Sequence, residues 1–189
     1  MNTKTKALIE SAIMIALSTV LSLVKVWEMP LGGSITLVSM LPVMLVSVRY
    51  GLGWGFGSAF VYSLGQLALS GVFGWGLTPT ILVGAIFLDY IGAFTVLGIA
   101  GIFRNKGKGG AIAGIILACV LRFAFHFVSG VVLWTMVDEF VVFGNKFIGH
   151  PFFYSLCYNG FYMLPETVIT AVASVILLST GAGKKLLEK

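Results

Sequence analysis

CVLRFAFHFVSGVVLW, residues 119–134, is the stretch that decides how the chain is read. It is apolar enough to lie in a membrane, yet Arg122, His126, Gly130 and Trp134 recur in it at every fourth position. On an α-helix that spacing puts the four on one slowly turning stripe, while Val120, Leu121, Phe125, Val132 and Leu133 face elsewhere. Ionisable groups inside a bilayer are costly and normally point into a protein interior or a wet cavity. A guanidinium, an imidazole, a bare patch of backbone and an indole in a row therefore predict one wall of a polar pocket.

The rest of the chain supplies the membrane. Of 189 residues, 58% are hydrophobic and only 10% charged, and the mean hydropathy is +1.03. A soluble domain carries roughly a quarter charged residues, so the sequence predicts an all-α integral membrane protein. A crossing helix needs about 20 apolar residues. The length thus allows a single transmembrane domain of six spans over residues 1–189, with no room for a soluble catalytic domain. The spans are expected at 6–26, 38–50, 52–71, 80–103, 111–134 and 152–180. The first is too long for a signal-peptide core and lacks a small-residue cleavage pattern, so it is read as a mature span.

Charge sets the orientation. With six spans, Lys4, Lys6, Arg49, Arg104, Lys106, Lys108, Lys184, Lys185 and Lys189 fall on one side, against Lys25 and Lys146 on the other. Basic residues favour the cytoplasmic side, so both termini are expected in the cytoplasm of a multi-pass cell-membrane protein. The net charge of +5 follows from topology and asks for no nucleic-acid partner. Cys119 and Cys157 lie in apolar segments without CxxC spacing and are expected as free thiols.

Along the chain, Ala12 and Ala16 are small residues four apart in span one, which lets another helix approach closely, inside the bundle or from outside it. The loop at 27–37 carries Trp27 and Glu28, and the loop at 71–79 carries Phe73 and Trp75. The latter, uncharged, suits a partly buried lid. Gly53, Gly55 and Gly57 predict tight packing of span three, where Tyr62 and Gln66 form a polar i,i+4 pair with Ser70 a turn beyond. Asp138 and Glu139 fall in the outward segment before span six, and the tail after residue 180 is expected to fray.

Asp89, with Tyr90 beside it, is the sharpest single residue. At roughly 1.5 Å per residue it lies about 15 Å into span four, and a carboxylate there must be paired, protonated or solvated. It either pairs with Arg122 or faces a cavity and receives a cationic or amine-bearing ligand. His126 is either a hydrogen-bonded interior histidine or a ligand contact. Gly130 lets a flat ring approach the backbone, and Trp134 offers a stacking or cation–π face. In span six Tyr154 and Asn159 are five apart, so one pocket needs both edges of that helix. Tyr158 and Tyr162 suit the outer interface, and Glu166 suits pairing with a cytoplasmic-side cation. Enzyme signatures are lacking: there is neither HExxH nor GxSxG, no phosphate loop, and no third group to orient a Cys157/His126 pair. No cofactor or metal is expected.

The residues that carry chemistry resemble the substrate-binding S components of energy-coupling factor (ECF) vitamin transporters, most closely the thiamine-specific ones. RFAFHFVSGVVLW is similar to that family's span-five pattern of His, Gly and Trp, carried here by His126, Gly130 and Trp134. FFYSLCYNGFYMLPE is similar to its span-six pattern, carried by Tyr154 and Asn159, and Asp89-Tyr90 takes the place of its acidic-Tyr pair. Two positions depart: the family pattern has Glu where Asp89 stands and favours Trp where Tyr62 stands. Gln66 has no family counterpart but extends the same wall. The resemblance implies a six-helix S-component bundle that captures thiamine from outside and delivers it by reorientation. It also implies that Ala12 and Ala16 dock onto a transmembrane coupling subunit driven by two ATPase subunits. The loop aromatics Trp27 and Trp75 suit lid residues by their position in the loops, not by the resemblance. The alternatives are an S component for a related heterocycle such as hydroxymethylpyrimidine, or a stand-alone proton-coupled carrier using Asp89 and Glu166.

Overall fold

The computed structural model describes residues 2–29, 32–134, 141–142, 144–146 and 149–187. Asp138 and Glu139 lie outside them. Among the described residues there are six principal helices: α1 (Thr3–Leu23), α2 (Leu41–Tyr50), α3 (Leu52–Leu69), α4, α5 (Gly107–Val132) and α6 (Pro151–Ser179). α4 starts as an α-helix at Pro79–Ala85, widens into a π-helix at Ile86–Gly92, and ends through Ala93–Thr95 and a 3-10 stretch at Val96–Gly101. Prolines open α4 and α6 and sit in the first turn of α2, where no amide hydrogen is missed. Gly51 (φ 92°) and Gly107 (φ 67°) make the sharp turns into α3 and α5, in backbone conformations that other residues rarely adopt.

Four stretches are long and apolar enough to cross a membrane: Thr3–Leu23, Leu52–Gly74, Pro79–Val132 and Pro151–Ser179. The third, 54 residues long, holds both α4 and α5 with the basic turn at Arg104–Lys106 between them. α2 is different. Its ten residues reach about 15 Å, half of a hydrocarbon core of about 30 Å, and every residue from Leu41 to Val48 is buried. A helix apolar on all sides belongs at the centre of a bundle. With Met40, Ala59, Tyr62, Leu97, Ile115 and Cys119 it forms the main core.

Between α1 and α2, residues expected to be loop form an antiparallel hairpin, β1 (Lys25–Glu28) with β2 (Ser34–Thr36), in the register Lys25↔Thr36, Trp27↔Ile35 and Glu28↔Ser34. A second short pair, β3 (Val141–Val142) with β4 (Asn145–Lys146), precedes α6. The tail does not fray at once: α7 (Gly181–Leu187) packs Leu186 and Leu187 against the main core. Glycine use in α3 also departs from expectation. Gly55 is wedged against Ser47 and Gly98, whereas Gly53 and Gly57 have open space beside them.

α1 turns Ala7, Ser11, Ser18 and Ser22 inward. The Ser18 hydroxyl accepts a hydrogen bond from Val43 N–H at the start of α2, 3.0 Å away. Ala12 and Ala16 are exposed on the opposite face among Leu8, Ile9, Ile13 and Leu17, so packing inside this bundle does not use them. At the basic end, Glu10 of α1 receives Arg49 at 3.0 Å and the Tyr50 hydroxyl at 2.6 Å, tying α1 to α2.

Candidate functional site

The end of the bundle that α2 leaves open holds a cavity of about 460 Å³. Its walls are the C-terminal ends of α1 and α3, the hairpin, the middle of α4, the second half of α5 and the first half of α6. Arg122, His126, Gly130 and Trp134 all line it, so the stripe read from the sequence is a physical wall. Asp89, Tyr90, Gln66, Tyr154 and Asn159 line it as well. Tyr62 does not. It is fully buried one layer behind, its ring meeting Phe94 edge-on with centroids 5.6 Å apart.

Asp89 sits in the π-helical part of α4, the kind of local widening that recurs at functional sites. Its carboxylate turns to α5: His126 Nδ1 is 3.0 Å from Oδ1, while Oδ2 accepts from the Ser129 hydroxyl at 2.6 Å and from the Trp134 indole N–H at 3.0 Å. The alternative of an Asp89–Arg122 ion pair is not what forms. Arg122 is buried, with Nη1 on the Met40 sulfur at 2.9 Å and its guanidinium 4.6 Å above the centre of the Phe94 ring. Its Nε, like His126 Nε2, has no hydrogen-bond partner among the described residues. The cavity thus carries a guanidinium with a spare N–H, a carboxylate at Glu166 that feels its charge, and the Asp89 carboxylate on the α4–α5 wall.

Gly130 and Asn159 serve the packing as well as the cavity. A Cβ on Gly130 would collide with the Ser155 side chain of α6 and come within 3.1 Å of Asn159 Nδ2. The bare backbone is therefore covered by α6, not left open for a flat ring. Asn159 Nδ2 donates to the His126 carbonyl at 3.2 Å and to Ser155, and its Oδ1 accepts from the Tyr162 hydroxyl at 3.0 Å. It bolts α6 to α5 beside the imidazole. Gln66 similarly spends its amide N–H on Ser22 of α1 at 2.9 Å.

Four aromatic or acidic placements differ from the sequence reading. Tyr158 and Tyr162 do not belt an outer interface: both line the cavity, with Tyr162 3% exposed and Tyr158 stacked on Tyr154 at 5.8 Å. Glu166 meets no cytoplasmic cation. It is buried at the cavity wall and accepts from Thr36 N–H at 2.7 Å and the Thr36 hydroxyl at 2.5 Å, fastening β2 to α6. Two residues on, Val38 holds φ 58°, a left-handed conformation that a β-branched residue adopts only under constraint. Of the two tryptophans expected over the site, Trp75 lines the cavity and meets Trp134 at 5.7 Å, with Gly32 of the hairpin against its ring. Trp27 lies outside, half exposed, edge-on to Phe161.

Ser129 escaped the sequence reading altogether. Its position three residues after His126 on the same helix was the available signal.

A helical bundle apolar enough to span a membrane, with a polar-aromatic cavity of this size, can hold a small molecule. That is the architecture of a transport protein. The family model described as thiamine transporter protein (Thia_YuaJ) matches residues 8–185, and the chain belongs to that family. It is 34% identical to the thiamine transporter ThiT of Bacillus subtilis strain 168, over 92% of this chain and 91% of that protein. It is 30% identical to the protein of the same name from Lacticaseibacillus paracasei, over 75% of this chain and 72% of that one. A solved structure of ThiT from Listeria monocytogenes shares the fold, with a TM-score of 0.75 at 23% identity, covering 98% of this chain and 99% of that one.

Proposed function

We propose that this protein captures thiamine from outside the cell in the 460 Å³ cavity, and passes it inward by reorienting against an ATP-driven coupling module of the ECF type. The observation that carries the ligand assignment is the environment of Asp89. A carboxylate offers about four acceptor positions, and three protein donors occupy one on Oδ1 and two on Oδ2. The position left on Oδ1 suits an exocyclic amine such as that of an aminopyrimidine. Trp134 and Trp75 present aromatic faces that favour a cationic ring, and the carboxylate offsets its charge. Tyr90, Tyr154, Tyr158 and Asn159 bound the remaining edges. A volume of this size falls within the usual range for small-molecule sites.

Ala12 and Ala16 supply the coupling surface. They stand on the outward face of α1, where close approach of a partner helix is unobstructed. The partner is a transmembrane coupling subunit, itself driven by two ATPase subunits. The charge asymmetry along the sequence puts both termini in the cytoplasm, so the cavity opens outward.

Titration calorimetry on detergent-purified protein, together with mass spectrometry of whatever co-purifies, tests the assignment. Thiamine is expected to bind, and Asp89→Asn to weaken it by about 1–2 kcal/mol, the scale of one charge-assisted hydrogen bond. Binding of hydroxymethylpyrimidine with none of thiamine would transfer the site to the precursor.

A further inference from the structure

Ser129 lies outside the cavity lining, fully buried, and its hydroxyl is aimed at one atom only, Oδ2 of Asp89, at 2.6 Å. We propose that Ser129 is a positioning residue that makes Asp89 able to recognise an amine: by filling Oδ2 together with Trp134, it turns the open acceptor position of Oδ1 into the cavity. This rests on the thiamine-site reading and deepens it.

The argument starts from the length of the side chain. Aspartate has two rotatable bonds and a short reach, so its carboxylate must be brought to the ligand by the backbone and held there by neighbours. The backbone part is the π-helical segment Ile86–Gly92, which shifts Asp89 relative to an ideal α-helix. The holding part comes from α5. His126 fixes Oδ1 from one side, and Ser129, three residues further along the same helix, fixes Oδ2. The Trp134 N–H completes Oδ2 from the end of α5 and, in doing so, sets the indole face against the cavity.

The Ser129 hydroxyl makes no other hydrogen bond among the described residues. A serine in a helix usually returns its hydroxyl to a carbonyl three or four residues back, as Ser63, Ser70 and Ser174 do here. Ser129 instead reaches across to α4. A carboxylate is a stronger acceptor than a backbone carbonyl, and the bond to Oδ2 offsets the loss of the local one.

A double-mutant cycle read by thiamine calorimetry tests this, with unliganded melting temperature as the folding control. Ser129→Ala is expected to weaken thiamine binding by about tenfold, and to do so by less than about threefold once Asp89 is already Asn. Oxythiamine, which carries an oxo group in place of the amine, is expected to lose less than thiamine does on Ser129→Ala. Equal losses in both backgrounds would make Ser129 an ordinary packing residue and overturn the inference, as would an unaltered affinity in the single variant. Should Asp89→Asn itself bind thiamine like the parent protein, the carboxylate does not face the ligand, and both the site reading and this inference fall. Ser129→Thr, which keeps the hydroxyl, is expected to recover most of the lost affinity.

Discussion

At Asp89 and its neighbours the chemistry of single side chains separates those that touch the cavity from those that support it. Trp134 has both roles, since its N–H is committed to Asp89 while its ring lines the cavity against Trp75. Trp134→Ala should therefore cost more than a stacking face. We expect at least the 2 kcal/mol or so of a desolvated cation–π contact, measured as a rise in the thiamine dissociation constant. Tyr62 is the contrasting case. It was expected in the wall, being i,i+4 with Gln66, but the helix turns its ring into the core against Phe94. Its hydroxyl has no hydrogen-bond partner among the described residues. Tyr62→Phe removes a polar atom that does not face the ligand, and should leave thiamine affinity within about 0.5 kcal/mol. A large loss would bring Tyr62 back into the site.

Helices set the spacing that those side chains need, and the α5–α6 pair sets most of it. Gly130 lets the two approach until Asn159 reaches the His126 carbonyl. Gly130→Ala would force them apart at the level of the site, with an overpacking cost of about 1–3 kcal/mol. We expect a lower melting temperature together with weaker thiamine binding. Gly57→Ala on α3, where nothing stands within 4 Å, should show neither effect, so thermal melting of the two variants checks the placement directly. The α5 wall was legible in advance because ionisable groups on an apolar helix can face only one way. The hairpin was not, because strands of four and three residues carry too little alternation to read. Nor was the π-helical segment of α4, since no residue pattern marks where a helix widens. Glu166 was misjudged for the same reason. Its partner Thr36 is 130 residues away, on a hairpin that no local rule predicts.

On the scale of the whole molecule, the cavity and the exposed stripe of α1 are separate surfaces. The cavity occupies the end that the short α2 leaves open, and α1 shows the rest of the membrane a stripe of small and aliphatic residues that its own bundle ignores. Ala12 and Ala16 lie on that stripe, whereas Ser18 and Ser22 hold α1 to α2 and α3 from behind. If the stripe seats a coupling subunit, enlarging it should disable transport without touching the cavity. Ala12→Leu with Ala16→Leu adds volume on the exposed face only, where substitutions shift stability by about 0.5 kcal/mol or less. The purified double variant should bind thiamine as the parent does, while thiamine uptake by cells dependent on this protein falls to background. Normal uptake by the double variant would move the coupling surface off α1. Loss of binding in the purified protein would instead mean that α1 shapes the cavity through Ser22 and Leu23, which line its mouth.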